Sequence, residues 1–113
     1  VVLSKFRPLQ FFRDEYTRAG ESFNTPTRIL SSTGCFFMIR TSVFRRAGGF
    51  DERFFMYFED ADLSRRVRKN SSIVFYPNAY VYHAWKRDNT RSLRGIKIFL
   101  ISMVKYFWKW KRV

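Results

Sequence analysis

Residues 48–66 read GGFDERFFMYFEDADLSRR, and this stretch sets most of what the chain can fold into. It places five carboxylates in a protein whose formal net charge is +13. Gly48-Gly49 permits the tight backbone of a turn ahead of Asp51 and Glu52. Phe54, Phe55, Met56, Tyr57 and Phe58 then form a bulky run that is either buried or walls a pocket. Glu59, Asp60 and Asp62 follow, with Leu63 and Val67 four apart and Arg65, Arg66, Arg68 and Lys69 at the end. Acids first and bases last is the order a helix macrodipole favours, so the spacing predicts a helix from about Asp60 to Lys69. A carboxylate cluster thus stands at a helix start, against an aromatic floor.

That arrangement suits a general base. The dipole and backbone N–H groups favour a charged carboxylate at a helix start, and an apolar wall excludes water. On residue types alone a plainer reading leads: Asp60 caps the helix and Glu59 is solvated, because acidic helix starts are common.

The flanking pattern is α/β. Phe11 to Ala19 reads as a short helix, and Gly20 and Pro26 bound a loop. Thr27 to Ser32 reads as a strand broken by Gly34, and Cys35 to Arg40 as an apolar strand buried on both faces. Thr41 or Ser42 caps a short helix, Val43 to Ala47, stopped at Gly48-Gly49. Asn70 to Ser72 is a turn. Ile73 to Tyr76 and Ala79 to Trp85 are strands, the latter with Val81 and His83 on one face. Leu93 to Lys111 reads as a helix of about five turns. Leu93, Ile96, Phe99, Leu100, Met103, Val104, Tyr106, Phe107 and Trp110 fill its broad apolar arc. Such a helix packs on the domain, or lies in a membrane interface with its basic side toward anionic headgroups.

Several ordered pieces together resemble one family. They are Thr33-Gly34-Cys35-Phe36-Phe37-Met38-Ile39-Arg40, then Val43-Phe44 to Gly48-Gly49-Phe50-Asp51-Glu52, then Phe55 to Leu63 with its Glu59-Asp60 pair. Arg65-Arg66, Tyr76-Pro77 and Val81-Tyr82-His83 complete the set. The set resembles the C-terminal half of the family 2 inverting GT-A glycosyltransferases, especially the rhamnosyltransferase-like members that build bacterial surface polysaccharides. The likeness covers roughly residues 27–113.

The resemblance implies an α/β fold: the C-terminal half of a GT-A (nucleotide-diphospho-sugar transferase) domain, a short mixed sheet with flanking helices, plus a C-terminal amphipathic helix. Residues 1–90 would be the acceptor-side part, with the donor-binding half absent, and 91–113 the basic helix. The isolated chain is therefore expected to be inactive. The implied reaction moves a sugar, with inversion, from a nucleotide-sugar donor to a saccharide or lipid-linked acceptor. Asp60 takes the catalytic base position, and Glu59 orients the acceptor or the base. Gly34 allows close backbone approach near the acceptor. Tyr57 and Phe58 offer a platform for sugar faces, or are core. Arg87 touches the donor diphosphate or is a solvated charge. His83 is a candidate ligand of a divalent cation, Mg or Mn, only in the complete enzyme, because one imidazole cannot hold a hard ion. For an arbitrary lone histidine a partly buried strand-end imidazole is the default.

The charge is uneven. From Lys86 onward there are nine Lys/Arg and one Asp. A basic tail seeks an anionic partner. An anionic membrane surface meeting residues 91–113 fits, which implies a cytoplasmic protein peripheral on the inner face of the cell membrane. A non-catalytic basic module binding nucleic acid or anionic membrane is the rival. Nucleic acid is disfavoured because most aromatics sit in apolar runs and are not interleaved with Lys/Arg. Cys35 is alone, which excludes an internal disulfide and fits a reducing compartment. No stretch reaches the ~18 consecutive apolar residues of a membrane-spanning helix.

Overall fold

The computed structural model describes residues 23–84 and 92–111. The expected helix at Phe11 to Ala19, Trp85 at the end of an expected strand, and Arg87 lie outside them. The described elements run β1 (Thr27–Ile29), α1 (Thr41–Arg46), α2 (Glu59–Val67), β2 (Ile73–Phe75) and α3 (Leu93–Trp110).

The strands pair antiparallel, with Thr27 opposite Phe75 and Ile29 opposite Ile73. Phe23 adds a tilted ring contact to Phe75 at 5.7 Å. α1 has no side-chain cap: Arg40 stands in the cap position and neither Thr41 nor Ser42 does. Its stop is at the glycines. Gly48 and Gly49 have φ of 81° and 66°, a left-handed backbone that L side chains resist, and Gly49 N–H donates to the Phe44 carbonyl at 3.0 Å.

α2 forms because its charges follow the dipole and its apolar residues share a face. Leu63 and Val67, four apart, are buried with Phe54 and Trp110, and these four are the hydrophobic core of the described residues. Each such side chain contributes about 1.5–3 kcal/mol on burial. Ser64 Oγ accepts from Ser32 N–H at 3.3 Å, and Arg68 donates to the Leu30 carbonyl at 3.2 Å. Those contacts tie the end of β1 to α2.

Two expected strands are not formed. Cys35 to Arg40 opens in a turn and a bend, is mostly exposed and lies outside any ladder, and Met38 is 95% exposed. Residues 79–84 are likewise irregular and exposed. A strand needs a neighbour for its N–H and C=O groups, and among the described residues neither segment has one. The described sheet is accordingly two antiparallel strands, where a short mixed sheet was expected.

α3 begins at Ser92, whose hydroxyl accepts from Gly95 N–H at 3.0 Å. It packs on the domain through a face that is partly polar: Gly95, Ser102 and Trp110 are buried, and Lys109 is half-buried. The face turned outward carries Leu93, Ile96, Leu100, Ile101, Val104, Phe107 and Trp108, all exposed. Much of the apolar arc therefore points away from the domain. The reason lies in the acidic stretch, which gives the polar face of α3 its partners.

Candidate active site

The approach to the carboxylates is a strained bend. Asp51 organises its start: its carboxylate accepts from the Arg53 backbone N–H at 3.1 Å, and its carbonyl from Phe54 N–H at 3.0 Å. Phe54 then enters the core. Tyr57 and Phe58 follow with φ of 67° and 66°. Two successive non-glycine residues in the left-handed region cost about 1–3 kcal/mol each and persist only where surrounding contacts hold them. Those contacts come from α3. Phe58 packs on Phe99 at 5.5 Å and Tyr106 at 5.3 Å, and Tyr57 meets Phe99 edge-on at 5.5 Å. The Met56 carbonyl accepts from Ser102 Oγ at 2.7 Å.

α2 starts directly after the bend, with Phe58 in the cap position and no side-chain cap. The Asp60 carboxylate is held by backbone: Oδ2 accepts from Gly34 N–H at 2.9 Å and Oδ1 from Ala61 N–H at 2.7 Å. Each oxygen keeps a further lone pair. Asp60 also lines an open cleft of about 560 Å³, with Ser32, Phe37, Arg40, Ser64 and Tyr76 among the other walls. A Cβ at Gly34 would lie 3.7 Å from the Asp60 Cβ, an ordinary contact. What Gly34 brings to Asp60 is therefore its N–H, and space alone does not demand a glycine.

Glu59 is half-buried. Its Oε2 is sealed from solvent without a hydrogen-bond partner. Burial raises its pKa, and the neighbouring Asp60 charge adds to the rise. Adjacent carboxyls thus sit in unlike settings: one hydrogen-bonded at a cleft, one desolvated.

Asp62 does something the sequence reading did not assign. It is fully buried. It accepts from Arg66 Nε at 2.8 Å and Trp110 Nε1 at 3.0 Å, and Lys109 Nζ lies 2.6 Å away. Lys109 also donates to Asp51 at 2.7 Å, and Asp51 is clasped by Arg53 Nη2 at 2.6 Å. Arg66 continues to the carbonyls of Ala47 and Gly49 at the end of α1. Arg65 stacks over Trp110 at 4.2 Å. Asp51 and Asp62 thus bind α3 to α2 and to the glycine turn. The Asp62–Arg66 spacing of four was a readable signal. Lys109, 47 residues downstream of Asp62, had none.

The remaining candidates fall elsewhere. The Tyr57 and Phe58 rings are taken up by α3. His83 is exposed on irregular backbone. The described residues contain no group of three His, Cys, Asp or Glu that could hold a metal ion. Hard divalent cations take about six to eight oxygen ligands, so the described residues by themselves do not make up a site for one. Chemically, the site can accept a proton at Asp60 from a group bound in the cleft.

Comparison with known proteins agrees with the motif reading. The model of a family described as Glycosyl transferase family group 2 matches residues 2–111. Two proteins of Mycobacterium tuberculosis, one from strain CDC 1551 / Oshkosh and one from ATCC 25618 / H37Rv, carry the name N-acetylglucosaminyl-diphospho-decaprenol L-rhamnosyltransferase. Each is 46% identical to this chain over 52 residues. That alignment spans 45% of this chain and 17% of the relatives' length. No solved structure matches.

Proposed function

The chain belongs to Glycosyl transferase family group 2, and from that premise we propose that it supplies the acceptor-side, base-bearing part of a GT-A sugar transferase. The donor is a nucleotide sugar, and the acceptor a saccharide or lipid-linked sugar. The relatives' name, which joins a decaprenol-linked sugar to rhamnosyl transfer, supports the lipid-linked choice. The product belongs to bacterial surface polysaccharide.

One observation carries the reading: Asp60 is fixed by two backbone N–H groups and still lines an open cleft. An acceptor hydroxyl in that cleft gives its proton to an Asp60 oxygen as its own oxygen bonds to the anomeric carbon. The bond from that carbon to the diphosphate oxygen breaks on the opposite face, and the nucleoside diphosphate leaves with the electron pair. The Gly34 and Ala61 N–H groups keep the carboxylate aimed, which is the positioning that general-base catalysis requires. Glu59 orients the acceptor or the base. His83 is a candidate ligand of a divalent cation, Mg or Mn, only in the complete enzyme, because the described residues by themselves do not form a site for one. Arg87 remains a candidate for the donor diphosphate.

The outward face of α3 fits an anionic membrane surface. It combines Leu93, Leu100, Val104, Phe107 and Trp108 with Arg94, Lys97 and Lys111, all exposed. No described helix is long and apolar enough to cross a membrane. The proposed location is the inner face of the cell membrane, held through residues 91–113.

The test is the stereochemistry of transfer by the active enzyme that contains this chain, read by NMR at the new anomeric centre. A single displacement with an Asp60 base inverts it. A product that retains the donor configuration would refute the proposal.

A further inference from the structure

The bend before Glu59-Asp60 is held in large part by a helix far along the chain. Ser102 is 3% exposed, and its hydroxyl donates to the Met56 carbonyl at 2.7 Å across 46 residues. One turn on, Lys105 Nζ donates to the Arg53 carbonyl at 2.8 Å. Phe99 and Tyr106 close on the Tyr57 and Phe58 rings. The carbonyl that Ser102 grips lies immediately before two left-handed residues, and α2 opens immediately after them. The bend therefore sets where α2 starts and where the Asp60 carboxylate stands relative to Gly34 N–H.

We propose that Ser102 is a positioning residue for the proton-accepting carboxylate. It touches neither substrate nor reacting atom. Its hydroxyl pins the Met56 carbonyl, which keeps Tyr57 and Phe58 in a backbone region they would otherwise leave. With the bend fixed, Asp60 keeps its Gly34 contact and its aspect onto the cleft. The inference rests on the base assignment above. It adds that this assignment depends on α3, with the Ser102 hydroxyl as the contact to the carbonyl that precedes the left-handed pair.

The experiment compares Ser102→Ala with the parent in the active enzyme that contains this chain. Steady-state transfer and hydrogen exchange of the 56–61 amides are both measured. Expected are a kcat lowered roughly ten-fold, as small displacements of a reacting group produce, and an unchanged KM for donor and acceptor. The 56–61 amides should exchange faster while those of residues 63–67 keep their protection. A kcat within two-fold of the parent, or unchanged exchange at 56–61, overturns the proposal. So does faster exchange throughout the chain, which marks general loosening. Asp60→Asn is run alongside. If that variant retains transfer the base assignment has failed, whereas the exchange data still report whether Ser102 pins the bend.

Discussion

Lys109 Nζ stands 2.6 Å from Asp62 Oδ1, and so the last turn of α3 is bonded to the first turn of α2. Asp62 has no solvent exposure, and Lys109 is its cation from outside α2. Removing one partner of a buried pair leaves the other charge uncompensated, which costs about 3–5 kcal/mol. Lys109→Met should therefore destabilise by about 3 kcal/mol, the low end of that range because Arg66 and Trp110 remain. Denaturant unfolding measures it. A loss within experimental error would show that the Lys109 contact holds nothing together.

Asp51 ties acid stability to the same lysine. The Arg53 guanidinium, with help from Lys109, holds its carboxyl well below the usual carboxylate range, against the opposing effect of burial. A depressed carboxyl binds its proton more weakly folded than unfolded. Its stabilisation is present above the ordinary Asp value of ~3.9 and is lost as pH falls through the depressed one. Asp51→Asn should flatten the acid limb of the stability–pH curve. A variant that loses stability on acidification as steeply as the parent would remove Asp51 from this role.

Glu59 carries the opposite sign. Burial first, then the Asp60 charge, raises its pKa. It therefore binds its proton more tightly folded than unfolded. Its contribution is full below the ordinary Glu value of ~4.3 and is lost as pH rises through the raised value. Glu59→Gln should unfold at higher denaturant concentration than the parent at pH 7, with the gap closing toward pH 4. Equal midpoints at both pH values would show that ionising Glu59 carries no penalty.

α2 was legible because its charge order and its Leu63–Val67 spacing both belong to local sequence, and Gly48-Gly49 marks the stop of α1 equally locally. The two unformed strands were misjudged because apolar runs show strand propensity and say nothing of a partner. Neither Cys35 to Arg40 nor residues 79–84 has one among the described residues. The packed side of α3 was hidden for a different reason. Periodicity assigns apolar residues inward, yet Ser102 and Lys109 face the domain because Met56, Asp51 and Asp62 receive them. Within the site, the Glu59-Asp60 pair was visible as a motif. The Gly34 N–H on Asp60 joins residues 26 apart, a distance no local pattern encodes.

The outward face of α3 predicts lipid binding. Leu100 and Val104 are exposed, so charging them leaves the packed face untouched. Leu100→Glu with Val104→Glu should abolish co-sedimentation with anionic vesicles and leave the unfolding midpoint near that of the parent. Parental binding by the double variant would contradict a lipid-facing helix. Salt-sensitive binding of the parent to single-stranded nucleic acid, without binding to vesicles, would favour a nucleic-acid module.

The central claim is that Asp60 accepts the acceptor's proton. Its most direct measurement is kcat for Asp60→Asn in the active enzyme that contains this chain, with donor affinity measured in parallel. An amide cannot take the proton, so kcat should fall by about 10²–10⁴-fold while the donor Kd stays within two-fold. Transfer by Asp60→Asn at close to the parental kcat would contradict the account.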